Sequence, residues 1–114
     1  MNKYKVGYYR TSRGSEPVRD FVEQQDKATR SKVARFTKLL KAFGPNLGMP
    51  YARYLKNGLY ELRIRGQNEV RIFYAILIRE DTVMFLHAFK KRTQKLPEKE
   101  LETARSRQKE LTRI

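Results

Sequence analysis

The stretch LKNGLYELRIRGQNEVRIFYAILIREDTVMFLHAFKKRTQKLP, residues 55–97, decides the fold because its apolar side chains recur with a period of two. Apolar and charged side chains alternate from Leu59 to Arg65, and Gly66–Asn68 then predicts a hairpin turn. A second alternating run covers Val70–Leu77. Thr82–Phe89 is almost entirely apolar, which is typical of an interior strand covered on both faces. The stretch therefore predicts three consecutive strands paired as hairpins.

The residues before this stretch predict one strand followed by two helices. Lys3–Arg10 alternates loosely and indicates a strand. We expect Ser15 to cap a helix with Pro17 in its first turn, where a missing N–H costs nothing. Asp26 predicts the N-cap of a second helix, and Gly44 with its following proline ends that helix. The two helices should form an antiparallel hairpin.

The remaining segments predict irregular chain and one more helix. Residues 46–57 contain Gly48 and Pro50, are followed by Gly58, and are expected to be irregular. Pro97 opens a last helix, assigned to residues 93–114. Its apolar side consists of Leu101, Ala104 and Leu111. The predicted order is β-α-α-β-β-β-α over one domain, residues 1–114. This is an α+β fold with a small, mostly antiparallel sheet packed on the helical hairpin.

The composition points to a polyanionic partner. The 114 residues include 26 Lys and Arg against 12 Asp and Glu, a formal net charge of +14. Nucleic acid is the first partner such a surface suggests. The absence of cysteine excludes a disulfide framework and thiolate metal sites, and one histidine excludes a His-rich zinc site. No apolar run is long enough to span a membrane and no signal peptide is present, so we expect a soluble cytoplasmic protein that needs no metal or cofactor.

Three places in the predicted sheet bring cations together. Arg63 lies on the polar side of its strand, Arg71 lies across the hairpin, and Lys90–Arg92 leaves the end of the third strand. Neighbouring strands are about 5 Å apart, so these places can converge on one patch. A guanidinium holds two phosphate oxygens at once. The alternative is a set of solvated cations in which Glu61 simply pairs with Arg71.

His87 and the loop tyrosines also allow two interpretations each. His87 alternates with Phe85 and Phe89, so it is either a core histidine on their side of the strand or a general acid or base beside Lys91. Tyr51 and Tyr54 interleave with basic residues and either stack on bases or pack as a lid. Tyr74 is more simply explained as a core residue.

The motifs GLYELR, RIFY and FLHAFKKRTQKLP resemble the RelE/ParE superfamily of small bacterial toxins, and most closely its HigB branch with the phage Gp49-like toxins. The resemblance spans about residues 4–105 and implies a RelE-like fold. It also implies the toxin of a type II toxin–antitoxin pair that cuts mRNA in the ribosomal A site. In that metal-independent reaction the ribose 2′-OH attacks the phosphodiester and leaves a 2′,3′-cyclic end.

The resemblance also assigns residues and partners. Arg63, Arg71 and Lys91 match the family's basic catalytic positions, with Arg92 as the alternative to Lys91, and His87 is the candidate for proton transfer. The expected RNA-binding residues are Arg53, Lys56, Arg65, Lys90 and Arg92. The implied partners are mRNA, the ribosome and a cognate antitoxin, expected to be a helix-turn-helix protein with an acidic segment, and no membrane. A ParE-like inhibitor of DNA gyrase and a non-catalytic nucleic-acid-binding module are the alternative functions.

Overall fold

A five-stranded mixed sheet organises the chain in the computed structural model, which describes residues 2–111. The strands are β1 (Lys5–Tyr8), β2 (Ala52–Lys56), β3 (Leu59–Ile64), β4 (Val70–Leu77) and β5 (Thr82–Lys90). The helices are α1 (Pro17–Glu23), α2 (Lys27–Phe43) and α3 (Glu98–Leu111). Single-turn 3-10 helices follow α2 and β4. The predicted α+β class, with a helical hairpin on a mostly antiparallel sheet, is confirmed.

The strand order is β1-β5-β4-β3-β2, and the sheet is open. Only β1 pairs in parallel, placing Lys5 beside Thr82 on β5. The hairpin of β3 and β4 sets Arg63 directly across from Arg71. Strand β5 lies between β1 and β4, and its apolar side chains are buried in the cores on both faces of the sheet, as the sequence predicts.

Strand β2 corrects the expectation that residues 46–57 are irregular throughout. Residues 52–56 pair with β3, and the register shifts between Tyr54 and Lys56. Ala52 is buried on one face of the sheet, while Leu55 packs on the other. Only five residues alternate in this edge strand, and the bulge interrupts them, so the period of two is too short to detect.

The two faces of the sheet have separate apolar cores. The face covered by α1 and α2, called the hairpin face, packs around Val33, Leu40, Leu62, Ile72 and Phe85. The opposite face, called the α3 face, packs around Tyr9, Leu59, Phe73, Leu86, Phe89 and Ala104. The helix α3 covers β5 and part of β4, so the β2–β3 side of this second face carries polar side chains.

An aromatic row crosses all five strands on the hairpin face. Tyr54, Tyr60, Tyr74, Phe85 and Tyr8 lie in register on successive strands. Tyr60 stacks on Tyr74 with ring centroids 5.1 Å apart, and Tyr8 meets Phe85 edge-on at 5.4 Å. Burial raises the pKa of Tyr74, so this phenol stays neutral. The row provides continuous packing beneath the helical hairpin, and Tyr74 belongs to the core.

The ends of the helices follow the capping signals with one exception. The Asp26 carboxylate accepts a hydrogen bond of 2.8 Å from the Thr29 amide, as an N-cap should. Gly44 ends α2 at a φ of 53°, and a Cβ there would meet the Tyr4 ring. Ser15 does not cap α1, because its hydroxyl pairs with Thr11 across the preceding turn.

The last helix begins later than assigned. Residues 93–97 form a loop, and α3 starts at Glu98, directly after the proline that was expected to open it. Residues 112–114 of the predicted helix lie outside the described residues. Ala104 is buried, and Leu101 and Leu111 pack on the same core, so the predicted apolar side of α3 is confirmed. None of the helices within residues 2–111 is long and apolar enough to cross a membrane.

Replacing Asp26 by alanine should lower the melting temperature near neutral pH, with the difference fading in acid. Hydrogen bonds from the Thr29 side chain and amide lower the pKa of Asp26 below its ordinary 3.8. The charged cap therefore stabilises the fold above the unfolded pKa, and this stabilisation is lost as pH falls through the lower folded pKa. Thermal unfolding across the acidic range tests this, with exposed Asp20→Ala as the control. An equal loss in acid and at neutrality would contradict it.

Candidate nucleic-acid interface

Six charged side chains form one connected network on the α3 face, beside the area that α3 covers. We call it the arginine network. It consists of Arg53, Glu61, Arg63, Arg65, Glu69 and Arg71. The alternation of β3 and β4 turns these side chains away from the helical hairpin. Its four guanidinium groups outnumber its two carboxylates, so the network keeps an excess of positive charge.

Glu61 is the centre of this network. Its side chain is only 1% exposed, yet three guanidinium groups surround it. The Glu61 carboxylate lies 3.2 Å from Arg71 Nε, 3.3 Å from an Arg53 terminal nitrogen and 3.9 Å from Arg63 Nε. A buried carboxylate is tolerated only when cations compensate its lost hydration. Glu61 therefore fixes the arrangement of all three arginines.

Arg71 lies too deep to touch a ligand. Its side chain is 2% exposed and is held between Glu61 and Glu69, whose carboxylate is 3.0 Å from an Arg71 terminal nitrogen. This burial does not favour the expected direct contact of Arg71 with a phosphate, which stays a prediction. The alternative raised from the sequence, that Glu61 pairs with Arg71, is what the structure contains.

Arg63 presents the network's charge to solvent. Its side chain is 18% exposed, between the buried Arg71 and the half-exposed Arg53. One terminal nitrogen contacts the Met49 sulfur at 3.5 Å. Within residues 2–111, its buried Nε finds no hydrogen-bond acceptor of good geometry. Because Nε is buried, an anion from solvent would have to contact the terminal nitrogens of Arg63.

The carboxylate at the other end of the network is held ionised. Burial works to raise the pKa of Glu69, but hydrogen bonds from Arg71 and the Gly66 amide, with the charges of Arg71 and Arg65, leave it below its ordinary value. The exposed Arg65 lies 3.8 Å from this carboxylate. The Glu69 carbonyl also accepts a hydrogen bond of 2.7 Å from the Lys91 amide, which fixes the start of the loop between β5 and α3.

The three cations Lys90, Lys91 and Arg92, at the end of β5 and directly after it, lie in different surroundings. Lys90 lies near enough to Asp26, below the hairpin face, to influence its pKa. The Lys91 ammonium donates to the carbonyls of Thr93 and Gln94 at 2.6 and 2.8 Å, closing the loop before α3. Arg92 is exposed. Lys91 thus sits beside Glu69 at the rim of the network, with its charge engaged by its own loop.

His87 is attached to α3. Its Nε2 lies 2.6 Å from a Glu100 carboxylate oxygen, and an Arg107 terminal nitrogen lies 3.4 Å from its Nδ1. Since a guanidinium can only donate, Nδ1 is the acceptor and Nε2 carries the proton. Alternation predicts Phe85 and Phe89 on the same side as His87, and for Phe85 this is wrong. The register shift between β4 and β5 turns Phe85 to the hairpin face.

The basic and aromatic loop does not form one stacking surface. Tyr51 packs edge-on against Phe36, with ring centroids 5.2 Å apart. Tyr54 lies in the aromatic row, opposite Arg53 across the plane of the sheet. Lys56 is exposed, and its carbonyl accepts from Arg105 on α3. Among the tyrosines raised from the sequence, none joins the arginine network.

Sequence reasoning missed the residues that α3 contributes. Glu100 and Arg107 are seven residues apart, so they lie two turns apart on the same side as Ala104. Arg107 also donates to the Leu86 carbonyl at 2.8 Å and covers the Tyr9 ring. A charged pair at this spacing, on the apolar side of a helix, was the available signal.

Most of the chain matches the sequence model of one protein family. The sequence model of the phage-derived protein Gp49-like family (DUF891) matches residues 20–109. The chain belongs to this family. Gp49-like proteins form a branch of the RelE/HigB-type toxin superfamily, so membership is consistent with a toxin and implies an antitoxin partner. The search of curated sequences found no match.

In this Gp49-like chain, the matched residues include β3, β4 and all six residues of the arginine network. Within residues 2–111, no three His, Asp or Glu side chains group as a metal site would require. The side chains of the arginine network can bind an anion and stabilise negative charge that develops on it.

A double-mutant cycle on Glu61 and Arg71 should reveal a strongly coupled pair. Glu61→Met and Arg71→Met should each cost up to about 3–5 kcal/mol, because each removes a close partner of a buried charge. The double variant should cost clearly less than the two losses together. Urea unfolding measures all four proteins, and half-exposed Arg53→Met should cost less than about 1 kcal/mol. Additive losses would show that the two side chains do not act as a pair.

Proposed function

We propose that this chain is the toxin of a type II toxin–antitoxin pair and cleaves mRNA on the ribosome. The observation that supports this most is the arginine network, with its excess of positive charge on one face of the sheet. Both of its carboxylates are used to hold arginines. The cations nearest solvent, Arg53, Arg63 and Arg65, are therefore preorganised for a phosphate.

In the proposed reaction the ribose 2′-oxygen bonds to phosphorus and the bond from phosphorus to the 5′-oxygen breaks. The 2′-OH loses its proton and the departing 5′-oxygen gains one. Negative charge grows on the non-bridging oxygens between these events. Arg63, with Arg53 beside it, would stabilise that charge by donating to these oxygens. Arg71 and Glu61 would hold Arg63 in place without touching the substrate.

The network has no free carboxylate to remove the proton. Glu61 and Glu69 are both ion-paired with guanidinium groups, which disfavours either as a base. Lys91 has a donor role at the rim, where it would meet the phosphate only by leaving its loop carbonyls. A site with strong charge stabilisation and weak proton transfer depends on a well-oriented substrate. This is the reason to assign the ribosome as the place of reaction.

The antitoxin would neutralise the same network. We expect its acidic segment to cover the exposed guanidinium groups, supplying carboxylates where the RNA supplies phosphates. In the proposed scheme the flanking RNA backbone is contacted by three further cations. These are Lys56 and, at the edge of the arginine network, Lys90 and Arg92. A helix-turn-helix antitoxin encoded beside this gene would support the toxin assignment.

Arg63→Gln should abolish growth arrest while the protein stays folded. The loss of one oxyanion-stabilising contact costs about 10²–10³ in rate. Purified protein, ribosomes and mRNA give the rate, and melting temperature confirms the fold. Arg13→Gln, exposed in the turn between β1 and α1, is the control that removes one positive charge and should cut normally. Full toxicity of Arg63→Gln at equal expression would refute the assignment of Arg63.

The same induction experiment separates the alternative functions. A translation block with cuts in mRNA supports the proposal. DNA breaks with an SOS response would replace it by a ParE-like gyrase inhibitor. Nucleic-acid binding with neither effect would replace it by a non-catalytic binding module.

A role of His87 in proton transfer stays a prediction, and the geometry favours anchoring of α3. The lone pair on Nδ1 faces the Arg107 guanidinium, so a proton arriving there would meet a positive charge. His87→Gln should therefore lower the melting temperature, as should Glu100→Gln from the helix side. Cleavage below the melting temperature should stay near the wild-type rate. A loss of about 10²–10⁴ in a folded His87→Gln protein would restore the general acid or base assignment.

A further inference from the structure

The exposed side of α2 carries a dense, unneutralised positive charge. The helix contains six cations and no carboxylate. They are Lys27, Arg30, Lys32, Arg35, Lys38 and Lys41. Within residues 2–111, none of them forms an ion pair with a carboxylate. In α3, by contrast, acidic and basic side chains alternate along the helix.

Four of these cations form one row on the helix surface. Lys32, Arg35, Lys38 and Lys41 follow each other at intervals of three residues, so neighbours in the row lie close together. The row winds about half-way around the helix, with the exposed Arg35 and Lys38 at its centre and the half-buried Lys32 and Lys41 at its ends. At 1.5 Å per residue the row is about 14 Å long. Like charges at this spacing destabilise a helix by a few tenths of a kcal/mol per pair. The local interactions therefore do not favour this row, whereas an external anion would.

Both ends of the row continue into other cations. At the start, the Lys32 ammonium donates to the Arg65 carbonyl, next to the edge of the arginine network. At the end, Lys41 shares an open depression with Lys3, Lys5 and Arg79, and the carboxylates of Glu80 and Asp81 line the same depression. The α2 helix lies on the hairpin face, while the arginine network lies on the α3 face. Positive charge therefore extends around the edge of the sheet onto its opposite side.

The side chains between the cations favour a phosphate backbone over a protein partner. From residue 27 to residue 41, the exposed uncharged positions of α2 are Ala28, Ser31 and Ala34, and the half-exposed Phe43 lies beyond the row at the end of the helix. Protein interfaces take their affinity from large apolar or aromatic anchors, and this part of the helix exposes none. Small residues between cations let a backbone approach closely, and a nucleic-acid backbone is bound by charge alone.

We propose that the exposed side of α2 is a second RNA-binding surface, which holds the phosphate backbone of a folded RNA. It goes beyond the proposed cleavage function because it lies across the sheet from the arginine network and takes no part in the chemistry. The substrate strand would lie on one face of the sheet, and a structured RNA segment on the other.

The test is binding of a short RNA hairpin made uncleavable by 2′-O-methyl groups, followed by fluorescence anisotropy at several salt concentrations. The variant is Arg35→Gln with Lys38→Gln. The matched control is Arg13→Gln with Lys99→Gln, two exposed cations outside α2, so both proteins lose two charges from +14. Melting temperatures confirm that both are folded.

The α2 variant should bind roughly tenfold more weakly at low salt, and its salt slope should fall by about 0.9 for each lost phosphate contact. The control should bind nearly as the wild type does. Equal binding by the variant and the control would overturn the proposal. So would a variant that keeps RNA binding but loses affinity for a polyglutamate peptide, because this would assign α2 to an acidic protein.

The uncleavable probe keeps this proposal separate from the cleavage mechanism. Arg63→Gln should retain most of the α2-dependent binding to the hairpin even though it no longer cuts mRNA. If cleavage proves absent altogether, the binding result still stands or falls on α2 alone.

Discussion

The buried carboxylate of Glu61 is the constraint around which the functional half of the sheet is built. A charge that is 1% exposed inside a β-sheet survives only beside cations, and β2, β3 and β4 each supply one. Register then follows from electrostatics as well as from the apolar pattern. A slip of one residue between β3 and β4 would separate the Glu61 side chain from the Arg71 side chain. Each charge would then be buried without its partner, and no ion pair would offset its desolvation penalty.

The sheet divides its work between two faces. The hairpin face is held by dispersion, through an aromatic row that runs without interruption from β2 to β1. The α3 face combines an apolar half beneath α3 with a charged half beside it. Because the aromatic row packs on the same strands that carry the arginines, packing on the hairpin face acts together with the ion pairs to fix the charged groups.

The sequence predicted the features that depend on local periodicity, and it missed those that depend on how deeply a side chain is buried. The alternation of Tyr60, Leu62 and Ile64 predicted both a strand and its orientation, since a period of two is a property of neighbours. The burial of Arg71 is set by packing from elsewhere in the chain, so no local pattern indicates it. His87 shows a third case, in which a single register shift in β5 reverses the side that simple alternation assigns to Phe85.

The parallel pairing of β1 with β5 has a consequence for synthesis. Lys5 and its neighbours leave the ribosome well before their partner strand, which begins at Thr82. Such a pairing has high sequence separation and closes late. During translation β1 therefore stays unpaired until β5 has emerged. The helices α1 and α2 and the strands β2, β3 and β4 are all synthesised before β1 finds its partner.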